Sequence, residues 1–323
     1  MTVLVTGAAG FIGYHCIRAL LARGQSVIGI DNLNPYYDVA LKEARLAELQ
    51  RHAPPTKFRF QRMSIADSGA VEGLRQHYPE ITHILHLAAQ AGVRYSLENP
   101  QAYAESNLTG HLNMLEMARR LPKLQHFTYA SSSSVYGGNT KVPFAVGDPV
   151  DHPVSLYAAT KRSGELITQS YHHLYGIPAT GLRFFTVYGP WGRPDMAYFS
   201  FTKTILEGKP ITLYNQGDMR RDFTYIDDIV AGTLAALDRP PAGHALYNLG
   251  NHRPEPLSAL VTAIEGAAGK KAVIHYAPMQ PGDVKETYAE ITASTRDLGF
   301  KPKTSLSDGI PHFVNWYRNY YHL

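Results

Sequence analysis

The sequence has little cysteine, no long apolar run and no block of one charge sign. Its 323 residues include one cysteine, Cys16, so no disulfide can form within the chain and nothing ties it to an oxidising compartment. No apolar stretch reaches the roughly 18 to 20 residues of a membrane span. The net charge is +4, but no basic block is interleaved with aromatic residues as in nucleic-acid-binding proteins. We therefore expect a cytoplasmic protein that binds neither membranes nor nucleic acids.

Strand-like and helix-like segments alternate through the first half of the chain. Short β-branched runs alternate with stretches that carry apolar residues at helical spacing. The predicted strands are 3–5, 26–30, 57–61, 83–88, 125–130 and 178–184, and the predicted helices are 11–22, 68–77, 100–120 and 155–175. Strands that alternate with helices form a parallel sheet covered on both faces. The pattern predicts an α/β fold, a doubly wound parallel sheet of the Rossmann type.

A glycine-rich turn joins the first strand to the first helix. Gly7, Gly10 and Gly13 have GxxGxxG spacing, which permits a tight bend and lets the backbone approach a pyrophosphate at the helix N-terminus. Asp31 ends the second strand, where a carboxylate accepts hydrogen bonds from an adenosine ribose and repels a 2′-phosphate. Together they predict NAD as the cofactor. The alternatives are an ordinary strand-to-helix turn and a solvated aspartate.

The alternation breaks after residue 184, where glycine and proline separate shorter elements. We expect residues 1–183 to form the NAD-binding domain and residues 184–323 a smaller α/β domain that binds the substrate. The apolar helix predicted at 225–237 indicates that segment 225–250 packs back on the first domain.

Tyr157 and Lys161 stand four residues apart, on one face of a predicted helix, so both can reach one substrate. The pKa of a tyrosine is about 10, but a neighbouring ammonium and a cationic nicotinamide stabilise its phenolate. Such a tyrosine can take a hydroxyl proton as hydride leaves the same carbon. The serines at 131–134 follow a predicted strand at its carboxyl end, where open α/β sheets bind ligands. Their hydroxyls can bind a substrate hydroxyl or carboxylate.

With these residues, the chain resembles the extended short-chain dehydrogenase/reductase superfamily and, within it, the nucleotide-sugar epimerases that act on UDP-glucuronate. The likeness covers nearly the whole chain and is strongest at 87–96, 151–161 and 186–197. It implies a tightly held NAD and three catalytic residues. Tyr157 would deprotonate the sugar 4-hydroxyl, Ser132 would hold the oxygen, and Lys161 would bind the nicotinamide ribose and lower the tyrosine pKa. Inversion at C4 would convert UDP-glucuronate to UDP-galacturonate.

The resemblance also implies the binding residues. Those for NAD are Gly7, Gly10, Phe11, Ile12, Gly13, Asp31, Asn32, Asn34, Ser64, Ile65, Leu87, Ala88, Ala89, Ala91, Asn107, Tyr157, Lys161 and Phe184. Those for the UDP-sugar are Arg94, Ser132, Ser133, Ser134, Thr186, Arg193, Arg221, Gln280 and Asp283. Arg221 would contact the diphosphate, and Gln280 and Asp283 the uridine end. Ser64 stands where many relatives carry an aspartate.

A C6 carboxylate needs donors, because oxidation at C4 makes a β-keto acid that loses CO₂ readily. The resemblance offers Ser133, Ser134, Thr186 and either Arg193 or Arg94. It also implies a homodimer through the helices at 100–120 and 155–175. No histidine spacing predicts a metal site.

Several alternatives stay open. UDP-glucuronate decarboxylation and UDP-glucose epimerisation need no residue that is absent here. A dinucleotide-binding regulator without turnover is a further alternative, although it would not need Tyr157 or Lys161. Sugar 4,6-dehydratases carry an Asp-Glu pair where Ser133 and Ser134 follow Ser132, so dehydration lacks its acid and base. For Arg221 and Asp222, the alternative is a surface ion pair without a role in binding.

Overall fold

The computed structural model describes residues 1–280 and 282–323. The strands are β1 Thr2–Thr6, β2 Ser26–Asp31, β3 Phe58–Arg62, β4 His83–His86, β5 His126–Ser132, β6 Ala179–Phe184, β7 Thr186–Tyr188, β8 Ile211–Tyr214, β9 Arg220–Tyr225, β10 His244–Leu249, β11 Pro254–Pro256 and β12 Ile274–Ala277. The α-helices are α1 Phe11–Ala22, α2 Val39–His52, α3 Ser68–His77, α4 Tyr95–Glu98, α5 Pro100–Tyr103, α6 Gly110–Arg120, α7 Leu156–Tyr175, α8 Ala197–Leu206, α9 Ile226–Leu237, α10 Leu257–Ala268, α11 Thr292–Leu298 and α12 Leu306–Tyr321.

Seven strands form one parallel sheet in the order β10-β6-β5-β4-β1-β2-β3. Successive side chains of a strand point to opposite faces, so Val3 and Val5 join one buried cluster with α1, whereas Leu4 joins the other with α3 and α6. Burial on both faces explains why these strands are apolar throughout. The predicted fold class, a doubly wound parallel sheet covered by helices, is confirmed.

Two smaller sheets lie beyond the large one, with the strand orders β11-β9-β7 and β12-β8. Helices α8 and α12 pack on α10 next to them. The chain returns to the large sheet between these elements, since α9 packs on α1 and β10 pairs with β6. The division at residue 184 stays a prediction.

Up to residue 184, the predicted elements match the structure within two residues at each end, but some details differ. Helix α2 was not predicted. The strand expected at 83–88 ends at His86, and Ala88 N instead donates to the Thr6 hydroxyl at 2.9 Å. The helix expected at 100–120 contains a π-helical turn, Ala104–Thr109, between α5 and α6. Within the described residues, no helix is long and apolar enough to cross a membrane.

Candidate active site

A long cleft follows the carboxyl ends of β1, β2, β4, β5 and β6, with about 1400 Å³ of empty space that is partly open to solvent. Ligands bind at this edge of doubly wound sheets. The cleft brings together most of the residues predicted to bind NAD, which are Gly7, Gly10, Phe11, Ile12, Gly13, Asp31, Asn32, Asn34, Ile65, Leu87, Ala88, Ala89, Ala91, Tyr157, Lys161 and Phe184. Ser64 and Asn107 are absent from its described lining.

The glycine turn is shaped to admit a pyrophosphate. Gly7 has a φ of 70° and its oxygen accepts a hydrogen bond from Gly10 N at 2.9 Å. A Cβ on Gly7 would lie 2.9 Å from Ala88 N, and one on Gly13 would overlap the Gly7 oxygen. Helix α1 begins at Phe11, and the N–H groups of its first turn have no intrahelical partner. The turn therefore fits a dinucleotide, which binds its pyrophosphate at such a helix N-terminus.

Asp31 is tied to the glycine turn instead of being solvated. Its Oδ2 accepts from Ala9 N at 3.1 Å, and its Oδ1 accepts from Leu33 N at 2.8 Å. Each carboxylate oxygen keeps a lone pair, because such an oxygen can accept two hydrogen bonds. The carboxylate lines the cleft and can accept from the hydroxyls of a ribose.

Ser64 and Asn107 act beside the cleft. The Ser64 hydroxyl accepts from Ala66 N at 3.2 Å, within its own turn. Asn107 is buried in the π-helical turn and bonds both backbone groups of Gln90, at 2.7 and 3.0 Å, and the Thr160 hydroxyl at 3.0 Å. Asn107 thus fixes the loop after β4, whose residues line the cleft, and π-helical turns often occur at functional sites.

Tyr157 and Lys161 project from the first turns of α7, which Ser155 caps by accepting from Ala158 N at 3.1 Å. Lys161 Nζ donates to Ala130 O at 2.9 Å. Burial lowers the pKa of Lys161 to about 8, and the positive charge of Arg193 adds to this effect. Burial raises the pKa of Tyr157, while the Ser132 hydroxyl and the Arg193 guanidinium act against that rise. Two cations therefore lie near one tyrosine.

A buried ion pair between Glu165 and Arg183 supports the serine segment. Glu165 accepts from the Ser131 hydroxyl at 2.6 Å and from Arg183 Nε and Nη2 at 2.8 and 2.9 Å. Arg162 Nη1 also donates to it, at 3.0 Å. Arg183 and Glu165 are both almost fully buried. The sequence carried one signal for this cluster, since Glu165 stands four residues after Lys161 on α7.

Of the residues predicted to hold the sugar, Ser132 and Arg193 line the cleft. Ser133, Ser134 and Thr186 are absent from its described lining. The Ser132 hydroxyl donates to the Ser134 hydroxyl at 3.2 Å, so Ser134 lies directly behind it. Arg193 is held by Asp195, whose Oδ1 accepts from Nε at 3.1 Å and whose Oδ2 accepts from Nη2 at 2.5 Å.

The remaining predicted substrate residues form a second cluster. Asp283 lies 3.2 Å from Arg94 Nη2 and 3.9 Å from Arg221 Nη2. The Arg94 guanidinium lies 5.1 Å from the centre of the Tyr214 ring. Nearby in sequence, Gln280 has a buried Oε1 that bonds no described residue. Two cations and one unpartnered amide oxygen suit a polar, anionic ligand.

The surface ion pair of Arg221 with Asp222 does not form. Asp222 is buried and accepts from the backbone N–H groups of Asn251, His252 and Ala289 at 2.5, 3.1 and 3.0 Å. Burial raises the pKa of Asp222 to about 6 despite these bonds. Asp222 therefore fixes the loop after β10 and leaves Arg221 to Asp283.

The cleft also has lining residues that the sequence analysis missed. They are Ile30, Tyr36, Tyr37, Lys42, Met63, Gln90, Ser106, Ala130, Phe185, Val187 and Met196. Ser131, from the predicted serine run, lines the cleft as well. Tyr36 and Tyr37 stand two and three residues after Asn34, and this proximity to the predicted NAD residues was the available signal. Met63, at the end of β3, and Val187, in β7, reach the cleft through the sheet order, which no local pattern reveals.

Comparison with known proteins identifies the family. The NAD dependent epimerase/dehydratase family model matches residues 3–250. This chain belongs to that family. UDP-glucuronate 4-epimerase 4 of Arabidopsis thaliana is 51% identical to this family member, over 99% of this chain and 76% of its own. The predictions of an NAD-dependent enzyme and of the epimerase family are confirmed.

Solved structures give the same result for the fold. UDP-glucuronic acid 4-epimerase from Bacillus cereus, crystallised with UDP-glucuronic acid and NAD, has a TM-score of 0.92 and 36% identity to this epimerase-family chain, over 99% of this chain and 100% of its own. UDP-glucose 4-epimerase from Thermotoga maritima, with UDP-glucose, has a TM-score of 0.88 and 30% identity over the same shares of the two chains.

Proposed function

We propose that this protein is a UDP-glucuronate 4-epimerase that interconverts UDP-glucuronate and UDP-galacturonate. The observation that carries the proposal is the position of Arg193, whose guanidinium lines the same cleft as Tyr157 and Ser132. A neutral hexose has no use for a fixed cation beside its reacting carbon, whereas a uronic acid presents a carboxylate there. The similar epimerase of known structure that binds UDP-glucuronic acid supports this substrate.

Bound NAD supplies a reversible hydride acceptor for the sugar carbon. Within this chain, the glycine turn offers backbone N–H groups to its pyrophosphate, and Asp31 offers a carboxylate to its adenosine ribose. Lys161 lies at the opposite end of the described lining, beside β5. Its Nζ has donors left for the nicotinamide ribose, since Ala130 O takes one of three.

The proton chemistry belongs to Tyr157. Its phenolate takes the proton of the sugar 4-hydroxyl as C4 is oxidised, and returns it when the 4-keto sugar is reduced on its other face. The Arg193 charge acts to lower the pKa of Tyr157, and Lys161 Nζ lies 6.0 Å from the centre of its ring, where an ammonium stabilises a phenolate. The Ser132 hydroxyl donates to the sugar oxygen. The cycle has no net redox change.

The second cluster suits the UDP end of the substrate. Arg221 and Arg94 offer guanidinium donors to the diphosphate, and Gln280 and Asp283 offer acceptors to the uridine. The main proposed hydrogen-bond donor to the C6 carboxylate is Arg193. Ser133, Ser134 and Thr186 remain proposed donors to this carboxylate.

Conversion of UDP-glucuronate without added reductant tests the proposal, with nucleotide sugars resolved by chromatography and proton NMR. We expect UDP-galacturonate, and a rate about 10²–10⁴-fold lower for Tyr157→Phe because the base is lost. Tyr175→Phe removes a hydroxyl from an exposed ring on the same helix and should retain the wild-type rate.

Other products would contradict the proposal. Accumulation of a UDP-pentose from the wild type would make the protein a decarboxylase, and turnover of UDP-glucose alone would make it a neutral-sugar epimerase. An NAD-loaded protein that converts no nucleotide sugar would be a regulator.

We also propose a homodimer through α6 and α7. Leu112 on α6 and Leu166 on α7 are exposed, and apolar side chains on neighbouring helices are suited to association. The domain division at residue 184 is proposed as well, with segment 225–250 assigned to the NAD-binding domain on the basis of the packing of α9 and β10. The cytoplasmic location stays a prediction that rests on the single cysteine, Cys16.

A further inference from the structure

The groups that hold the Arg193 side chain come from two distant parts of the chain. Asp195 takes the Nε and Nη2 groups together, a bidentate arrangement that fixes the plane of a guanidinium. The Tyr36 hydroxyl donates to the same carboxylate, to Oδ2 at 3.2 Å. Tyr36 lies in the loop after β2, which also carries Asp31 and Asn34 at the adenosine end of the cleft. A contact between the loop after β2 and the segment after β7 therefore supports the carboxylate that orients Arg193.

The backbone of Arg193 is fixed as well. Arg45 on α2 is 0% exposed; it donates to Trp191 O from Nε and Nη2 at 3.1 and 2.6 Å, and to Gly192 O at 2.9 Å. Its Nη1 reaches Ala9 O in the glycine turn at 2.8 Å. The peptide that precedes Arg193 is thus anchored to the same turn that accepts the pyrophosphate.

This arrangement leaves one edge of the guanidinium for a ligand. Asp195 occupies the Nε side, and Arg193 Nη1 bonds no residue that the structure describes. The Arg193 charge holds the pKa of the Asp195 carboxyl below its ordinary value although burial opposes this, so the carboxylate stays charged and bound at neutral pH. Arg193 and Tyr157 line the same cleft, so Nη1 is the nitrogen of this guanidinium that is left for a ligand there.

We propose that Tyr36 and Asp195 are positioning residues that aim Arg193 at the substrate carboxylate and thereby prevent loss of CO₂ from the 4-keto sugar. This inference rests on the proposed function. Nothing in the family resemblance assigns either residue a role.

The reaction to be prevented is simple. In the 4-keto uronic acid, the C5–C6 bond can break and release CO₂, and its electron pair forms the C4–C5 enolate, which a proton then quenches at C5. This needs the breaking bond aligned with the ketone π-system and a carboxylate free to leave. A guanidinium fixed in plane and position holds the carboxylate as an anion and restricts its rotation.

Product partition tests the inference. Holoenzyme is incubated with UDP-glucuronate, and UDP-galacturonate, UDP-pentose, UDP-4-ketopentose and CO₂ are quantified. We expect Tyr36→Phe and Asp195→Asn to raise the ratio of decarboxylated to epimerised product at least tenfold. Tyr95→Phe is the matched control, because the Tyr95 ring lies 4.8 Å from that of Tyr36. Among the described residues its hydroxyl bonds only Asn99, from which it accepts, and Tyr95 is absent from the described lining of the cleft. Its ratio should equal that of the wild type.

A double-mutant cycle separates positioning from a general loss of structure. If Tyr36 acts through Arg193, Tyr36→Phe should change the product ratio in the wild type and leave it unchanged in an Arg193→Met background. Retained NAD, measured by release on denaturation, verifies that each variant folds.

An unchanged product ratio in Tyr36→Phe and Asp195→Asn, or an equal fall of both products, would overturn the inference and leave the epimerase proposal standing. If the wild type itself makes no UDP-galacturonate, the proposed function fails first and the inference fails with it.

Discussion

At the scale of single residues, the site holds two cations of different kinds, the buried Lys161 ammonium and the partly exposed Arg193 guanidinium. A guanidinium keeps its proton at every accessible pH, whereas an ammonium in a buried site can lose it. Burial and the repulsion of Arg193 lower the pKa of Lys161 from 10.5 to about 8. Of these two cations, Lys161 is therefore the one whose charge changes near pH 8. Arg193 stays charged throughout.

This predicts an alkaline limit to activity. Below pH 8 the Lys161 ammonium supports the Tyr157 phenolate, and as the pH rises through about 8 that charge is lost, so kcat/KM should fall tenfold per pH unit. Arg193→Met removes the repulsion and should move the fall to higher pH, whatever it does to the absolute rate. Rate profiles at constant ionic strength measure both. If the alkaline fall of kcat/KM occurs at the same pH in Arg193→Met as in the wild type, Arg193 does not act on Lys161.

At the scale of elements, α7 is placed by one ion pair. Tyr157, Lys161 and Glu165 are spaced by four residues and share one face. Glu165 joins that face to Arg183 on β6 and to Ser131 on β5. The Glu165 contacts thus fix the distance between Tyr157 on the helix and the serines at the end of β5. Neither the spacing of Tyr157 and Lys161 nor the run of serines predicts these contacts.

Removing one partner of this pair should cost much more than removing both. Arg183→Met leaves the buried Glu165 carboxylate with Arg162 alone among its cations, so we expect the free energy of unfolding to fall by about 3–5 kcal/mol. The double variant Glu165→Leu with Arg183→Met should recover most of that loss, because no buried charge stays unpaired. Urea unfolding of the NAD-bound protein measures the difference. Equal losses in the single and double variants would refute this account.

Element prediction succeeded where periodicity is local. The strands and helices around the glycine turn follow from spacing alone, so their bounds agree with the structure. The π-helical turn at Ala104–Thr109 cannot be predicted from the spacing, because it lies inside a longer run that the spacing predicts as one helix. The family resemblance placed Asn107 in the NAD site, and in the structure its side chain lies in this turn and bonds the backbone of Gln90.

At the scale of the whole molecule, long-range contacts decide what the sequence could not show. The glycine turn, Asp31, Tyr157 and Lys161 have local signatures and converge as expected. The contact of Tyr36 with Asp195 spans 159 residues, and that of Arg45 with Trp191 spans 146. No propensity or spacing predicts such pairs, and they arise only because the sheet order brings the loop after β2 to the segment after β7.

The proposed homodimer gives a further prediction at this scale. Leu166→Glu places a charge in the apolar surface of α7, so we expect the dimer dissociation constant to rise at least tenfold. A tenfold rise corresponds to a loss of about 1.4 kcal/mol of binding free energy, which is within what burial of one leucine side chain contributes. Val273→Glu is the matched control, since Val273 and Leu166 are each 54% exposed. Sedimentation measures both. Monomeric wild-type protein, or equal effects of the two variants, would contradict the interface.

The buried Arg45 makes the two parts of this chain poor candidates for exchange between relatives. Arg45 is satisfied by carbonyl groups of the glycine turn and of the segment before Arg193, so a recombinant that takes its first half from one parent and its second from another inherits only half of that coordination. If the carbonyl group of Trp191 or Gly192 were shifted, the buried Arg45 guanidinium would lose a hydrogen-bond acceptor. Crossovers that preserve this coordination have to carry α2 and residues 189–195 from the same parent.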